Sequence, residues 1–208
     1  MPQVFGNLSR GRVVFYSIVI VGSLIPIYFF GILGAVPFKV PSSSMEPTLL
    51  PGDYLFATPE SLYSRGDIIV LRDPTQKGAF LVKRIVGLPG DTISEDNGSL
   101  SINGKYASEP YIYEPINYVL QPVTVPENEI LVLGDNRNAS EDSSRWLIDP
   151  DTGEVTVSDE YGTRGPGGKT YKRSVPIKSI IGKVRYIYLP FKRAGKVPSF
   201  PLTNFDGE

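Results

Sequence analysis

Neither cysteine nor histidine occurs among the 208 residues. Without cysteine there is no disulfide, no thiolate nucleophile and no thiolate-bound zinc, and either side of a membrane tolerates such a chain. Without histidine a Ser-His-Asp triad, a Cys-His pair and an imidazole-ligated metal are equally excluded. A general base, if there is one, is Lys, Asp, Glu or Tyr. A basic surplus is missing as well: 21 Lys+Arg stand against 22 Asp+Glu. That balance offers nothing to neutralise a phosphate backbone, so no nucleic acid is expected as a partner. The length suits one principal globular unit.

Charge is also absent locally. Residues 13–38 contain no Asp, Glu, Lys or Arg and are rich in Ile, Val, Leu, Phe and Tyr. Roughly 20 apolar helical residues cross the hydrocarbon of a bilayer, so the run predicts a transmembrane anchor helix over 13–38. A cleaved leader has a shorter apolar region, about 7–15 residues, ending in small residues at −3 and −1. The end of this run, Gly34-Ala35-Val36-Pro37, offers no such pair clear of a proline, which predicts an uncleaved anchor. A buried helix is the competing reading, but a domain this small has little interior to hide one. Pro26 is placed to kink the span. Arg10 and Arg12 flank one end and Lys39 the other, so the positive-inside rule puts residues 1–12 in the cytoplasm. The rest would then lie outside the cytoplasm, tethered to the cell membrane by a single pass.

Beyond Val40 helical periodicity fades, and short β-branched and aromatic runs alternate with Gly, Pro, Asn and Asp. Strands are predicted at 54–57, 67–71, 80–86, 99–102, 129–133 and 182–189, giving a mainly β, antiparallel domain. Asn103-Gly104 is a strong hairpin turn because both central residues of a type I′ turn need φ > 0. Asp151-Thr152-Gly153 marks a second hairpin. Gly-Asp recurs at Gly52-Asp53, Gly66-Asp67, Gly90-Asp91 and Gly134-Asp135, most simply as turns that start strands. The polar, glycine-rich stretch 148–171 reads as a hairpin plus a mobile loop, and the tail from Ala194 as a flexible end.

Three segments carry chemistry. Pro41-Ser42-Ser43-Ser44-Met45-Glu46-Pro47-Thr48 follows the apolar run directly. In Phe80-Leu81-Val82-Lys83-Arg84-Ile85-Val86, strand alternation sets Lys83 on the face of Leu81 and Ile85. A lysine buried there loses its charge more readily and becomes able to take a proton from a hydroxyl. Taken alone, the first segment also fits a serine-rich linker and Lys83 an ordinary solvated cation. The third segment, from Gly134 to Trp146, is dense in hydrogen-bonding groups: a polar turn or the scaffold of a site.

Together, Ser-Met-x-Pro-Thr, then Lys-Arg-Ile-Val-Gly-Leu-Pro-Gly-Asp, then Gly-Asp-Asn-Arg-x-x-Ser-x-Asp-Ser resemble type I signal peptidase, in that family's order. Arg65-Gly66-Asp67-Ile68-Ile69-Val70 and Ile180-Ile181-Gly182-Lys183-Val184 are similar to further family blocks. The resemblance spans roughly 41–189 and implies a membrane-bound serine endopeptidase in which Ser44 is the nucleophile and Lys83 the general base. It implies an oxyanion hole built from the Ser44 amide and the Ser42 hydroxyl. Ser140 would orient the base, with Asp142, Asp135 and Arg84 holding the site together. The sequence departs from the pattern at Asp142-Ser143-Ser144-Arg145, where an extra serine resets the expected Asp142–Arg145 ion pair by one position, and at the long stretch 147–171.

The expected division is a cytoplasmic segment 1–12, an anchor 13–38, a peptidase domain 39–193 and a tail 194–208. The expected partners are signal peptides of exported preproteins and the lipid bilayer, near the protein-export machinery. The resemblance calls for no metal or organic cofactor. A self-cleaving Ser–Lys repressor, a processing peptidase for conjugation or pilus proteins, and a catalytically silent tethered β-domain are the alternatives.

Overall fold

The computed structural model describes residues 10–26, 28, 31, 34–158 and 169–202. The chain divides into two units, 1–36 and 37–208. In the first, α1 (Arg10–Pro26) runs for 17 residues, about 25 Å at 1.5 Å per residue. No helix among the described residues is long and apolar enough to cross a membrane. The helix expected over 13–38 is corrected at its C-terminal end: the α-helix α1 ends at Pro26, and Val36, Pro37 and Phe38 are strand rather than helix. Residues 27, 29, 30, 32 and 33 of the expected anchor lie outside the described residues.

Fourteen strands occur among the described residues. In chain order they are β1 (Val36–Lys39), β2 (Tyr54–Thr58), β3 (Ile68–Arg72), β4 (Phe80–Gly87), β5 (Thr92–Asp96), β6 (Ser99–Ile102) and β7 (Lys105–Tyr106). There follow β8 (Leu120–Thr124), β9 (Glu129–Leu133), β10 (Trp146–Ile148), β11 (Val155–Val157), β12 (Val175–Pro176), β13 (Ile180–Leu189) and β14 (Gly195–Lys196). The large sheet has the order β1-β2-β13-β3-β4-β9-β12, with β14 also paired to β13. A four-stranded sheet runs β7-β6-β5-β8, and β10 and β11 form a separate hairpin. The mainly β, antiparallel expectation holds.

The central strands are covered on both faces. Ile68 and Val70 of β3 join a cluster with Met45, Leu49 and Leu55, while Ile69 and Leu71 join another with Ile85, Val132 and Trp146. Likewise Ile130 and Val132 of β9 share the Trp146 cluster, whereas Leu131 and Leu133 face the small sheet's Ile93, Leu100 and Ile102. Burial on both faces is why these strands read as unbroken apolar runs rather than alternating ones.

Three of the four Gly-Asp pairs do start strands. Gly52, Gly66 and Gly90 have φ of +92°, +88° and +85°, a backbone that costs L side chains a steric clash. Asp53, Asp67 and Asp91 then accept the amides of Leu50, Ser64 and Leu88 at 2.8–3.0 Å and lead into β2, β3 and β5. Gly134-Asp135 instead follows β9, so that reading is corrected. Both predicted hairpins form: Asn103 and Gly104 have φ of 54° and 80° between β6 and β7, and Ile148 pairs with Val155 around the 151–153 turn. The mobile-loop expectation rests largely on 159–168, outside the described residues. The flexible tail is corrected over 194–202: β14 pairs with β13, and Val197 and Leu202 are buried. Residues 203–208 lie outside the described residues.

Candidate active site

Ser44 sits in a turn anchored by its neighbours. Met45 and Leu49 are buried in one core cluster. Glu46 N–H donates to Ser43 O at 3.0 Å and Leu49 N–H to Met45 O at 2.9 Å. From the far side Asn136 closes the turn: its amide donates to Ser44 O at 3.1 Å and its side chain to Ser43 O at 3.3 Å. This contact needs Gly134, because a Cβ there would lie 2.4 Å from Ser44 O and 2.3 Å from Ser140 Oγ.

Lys83 reaches the same point from β4, between β3 and β9. It is 2% exposed, and its Nζ lies 2.9 Å from Ser44 Oγ. Burial pulls the Lys83 pKa below the usual lysine range, against the opposing pull of Asp142, Glu141, Asp73 and Asp135. Ser42 Oγ stands 3.3 Å from Ser44 Oγ. Among the described residues the Ser44 amide N–H has no acceptor.

Arg84, next along β4, faces a different environment. Its Nε and Nη2 grip both oxygens of Asp135 at 2.8 and 2.6 Å, and its Nη1 donates to Gly66 O at 2.7 Å. Thr48, four residues beyond Ser44, donates from its hydroxyl to Asp135 Oδ2 at 2.6 Å. The pair therefore ties β4 to the nucleophile's turn.

Asp142 is fully buried and accepts Gly134 N–H at 2.8 Å, Ser144 N–H at 3.0 Å and the Ser144 hydroxyl at 2.8 Å. The additional serine thus takes the carboxylate. Among the described residues no ion pair joins Asp142 to Arg145, whose amide donates to Asp142 O at 2.9 Å. Ser140 lies beside Gly134, but its buried Oγ has no hydrogen-bond partner among the described residues. The bond to the base that the resemblance implies is not made here.

Some of the site's support was not foreseen. Thr48, Asn136 and Gly134 lie inside the motifs that carry the resemblance, and their contacts join one motif to another. Arg137, buried, donates to Glu95 Oε1 and Glu109 Oε2 at 2.9 Å each. Burial pushes the Glu95 carboxyl up to about 7 despite Arg137. Nothing in the local sequence of Glu95, which precedes an Asp-Asn-Gly turn, signals that burial. Among the described residues no group of acidic side chains is placed to hold a metal ion.

A serine hydroxyl within hydrogen-bond reach of a desolvated amine, in a chain with no histidine, is the arrangement of an acyl-transfer hydrolase with an amine base. The chain belongs to the signal peptidase family, peptidase S26, whose profile matches residues 11–189. It is 33% identical over 177 residues to a probable signal peptidase I-1 of Synechocystis, covering 80% of this chain and 77% of that one. It is 40% identical over 125 residues to a signal peptidase I of Bacillus licheniformis, covering 53% of this chain and 67% of the relative. A crystal structure of a signal peptidase I from Enterococcus faecalis aligns over 60% of this chain and 98% of that one, at 26% identity and a TM-score of 0.40.

Proposed function

We propose that this chain removes signal peptides from exported preproteins, with Ser44 as nucleophile and Lys83 as general base. The observation that carries it is the 2.9 Å approach of a buried Lys83 amine to Ser44 Oγ. Neutral Lys83 takes the Ser44 proton as Oγ attacks the scissile carbonyl. The developing oxyanion is met by the Ser44 amide and the Ser42 hydroxyl, donors each worth about 10²–10³ in rate. Collapse breaks the C–N bond, and the Lys83 ammonium returns the proton to the departing amine of the mature protein. Lys83 then deprotonates a water that attacks the Ser44 ester, and as the ester C–O bond breaks it returns that proton to Ser44 Oγ, releasing the signal peptide. Arg84, Asp135 and Asp142 hold the geometry, and Ser140 and Arg145 flank it.

The apolar run in 13–38 is proposed to hold the enzyme at the membrane, with Arg10 and Arg12 on the cytoplasmic side and the peptidase domain outside. Ser44 follows that run by few residues, which suits a substrate whose cut site emerges at the bilayer surface. Such shared tethering raises effective concentration, and the export machinery would be a neighbour.

Processing of a preprotein in detergent by wild type, Ser44→Ala and Lys83→Ala tests the dyad. Cleavage by the wild type alone is expected; equal cleavage by all three means that other residues do the chemistry.

A further inference from the structure

The match to the family's profile ends at residue 189, yet the chain beyond it is packed into the cores of the domain. Val197 is buried with Met45 and Leu49, beneath the turn that carries Ser44. Leu202 is buried in the other cluster, with Leu131 and Leu133. The segment therefore spans the two cores, passing Gly66 so closely that a Cβ there would lie 2.2 Å from Phe200 O.

Two of its side chains make contacts that lead to Thr48. Arg193 holds both carboxylate oxygens of buried Asp53 at 2.9 and 3.0 Å, and its Nη2 donates to Thr48 O at 3.1 Å. Phe200 packs on Tyr111, ring centroids 5.6 Å apart. Tyr111 in turn lies over the Arg84 guanidinium, 3.9 Å from ring centroid to the central carbon, with Phe200 at 5.7 Å. Arg84 holds Asp135, and Asp135 holds the Thr48 hydroxyl. Thr48 is thus fixed at its carbonyl by Arg193 and at its side chain by a relay that ends on Phe200.

We infer that residues 191–202 form a clamp that positions the nucleophile's turn, with Arg193 and Phe200 as positioning residues for Ser44. The inference rests on Ser44 being the nucleophile. Neither side chain touches Ser44 or Lys83, so the effect passes through Thr48 and falls on the chemical step rather than on substrate affinity. Misplacing a reacting group by about 1 Å can cost on the order of 10²-fold, and a loosened turn is a milder fault.

The test compares full-length wild type, Ser44→Ala, Phe200→Ala, Phe200→Leu and Arg193→Gln in detergent, measuring kcat and KM on one preprotein, with a thermal melt of each. Phe200→Ala and Arg193→Gln are expected to lower kcat about tenfold with KM within about twofold, below their melting temperatures, while Phe200→Leu recovers most of the rate. If Phe200→Ala does not fold, Arg193→Gln decides alone. An active wild type with unchanged kcat in the variants, or a loss confined to KM, overturns the clamp and leaves the dyad standing. A wild type and Ser44→Ala that cleave equally overturn the dyad, and the clamp with it.

Discussion

Lys83 and Arg84 are adjacent on β4 and almost equally buried, 2% and 0% exposed, yet their surroundings treat positive charge in opposite ways. Around Arg84 every arm of the guanidinium has an acceptor: two carboxylate oxygens, a carbonyl and an aromatic face. Lys83 has a serine hydroxyl within reach, and carboxylates that act on it only through space. One cation has a partner at every arm and serves as a strut. The other is left short of partners, so that burial favours its neutral form. Strand alternation makes this possible, because neighbours in sequence point to opposite faces.

The largest way to break the contrast is to give position 83 a cation that cannot lose its proton. An arginine remains charged at any working pH, so Lys83→Arg is expected to reduce kcat by about 10⁴-fold or more, as loss of a catalytic base does elsewhere. The wild-type rate should climb with pH through one ionisation lying below 10.5, the direction that burial gives Lys83. An arginine variant that keeps substantial activity, or a wild-type rate that is flat from weakly acidic to alkaline pH, contradicts an amine base.

Breaking the strut comes next. Arg84→Met leaves Asp135 buried without its partner, which typically costs about 3–5 kcal/mol of stability. Combining Arg84→Met with Asp135→Leu removes both charges and should recover a large part of that loss. Denaturant titration of the two variants and the wild type measures it; a double variant no more stable than the single one would show that the pair contributes more than mutual neutralisation.

What was legible in the sequence follows from how local each signal is. The Ser44 and Lys83 motifs, the Asn103-Gly104 turn and the long central strands are written in contiguous residues; the turn and the strands form where expected, and Lys83 Nζ lies 2.9 Å from Ser44 Oγ. Strands β5 and β8 have weaker local signals: Glu95, an acidic residue in a segment with little apolar content, is buried where Arg137, 42 residues further along the chain, donates to it. The anchor helix was drawn too long because an uncharged run does not reveal where helix gives way to strand; Val36–Lys39 is β1 because β2 is there to pair with it. The tail reads as a flexible end in the sequence because its few apolar residues, Val197, Phe200 and Leu202, find their partners only in the folded domain.

The smallest effect sharpens the contrast between matched and unmatched buried charge through the pH dependence of stability. Glu95 has its pKa raised from 4.5 to about 7, so between those values the folded state binds more proton than the unfolded. Its stabilising contribution is complete below about 4.5 and is lost as pH rises through about 7. Lys83 bends the curve the other way: with its folded pKa below 10.5, its contribution is present above the unfolded value and lost as pH falls through the folded one. One proton changes stability by at most about 1.4 kcal/mol per pH unit, so both slopes are modest. Glu95→Gln should flatten the decline between pH 5 and 7 while leaving the alkaline limb intact, and Lys83→Met should do the reverse. Denaturant melts from pH 5 to above 10.5 on the three proteins separate the two slopes; a decline from pH 5 to 7 that survives Glu95→Gln assigns it to another group.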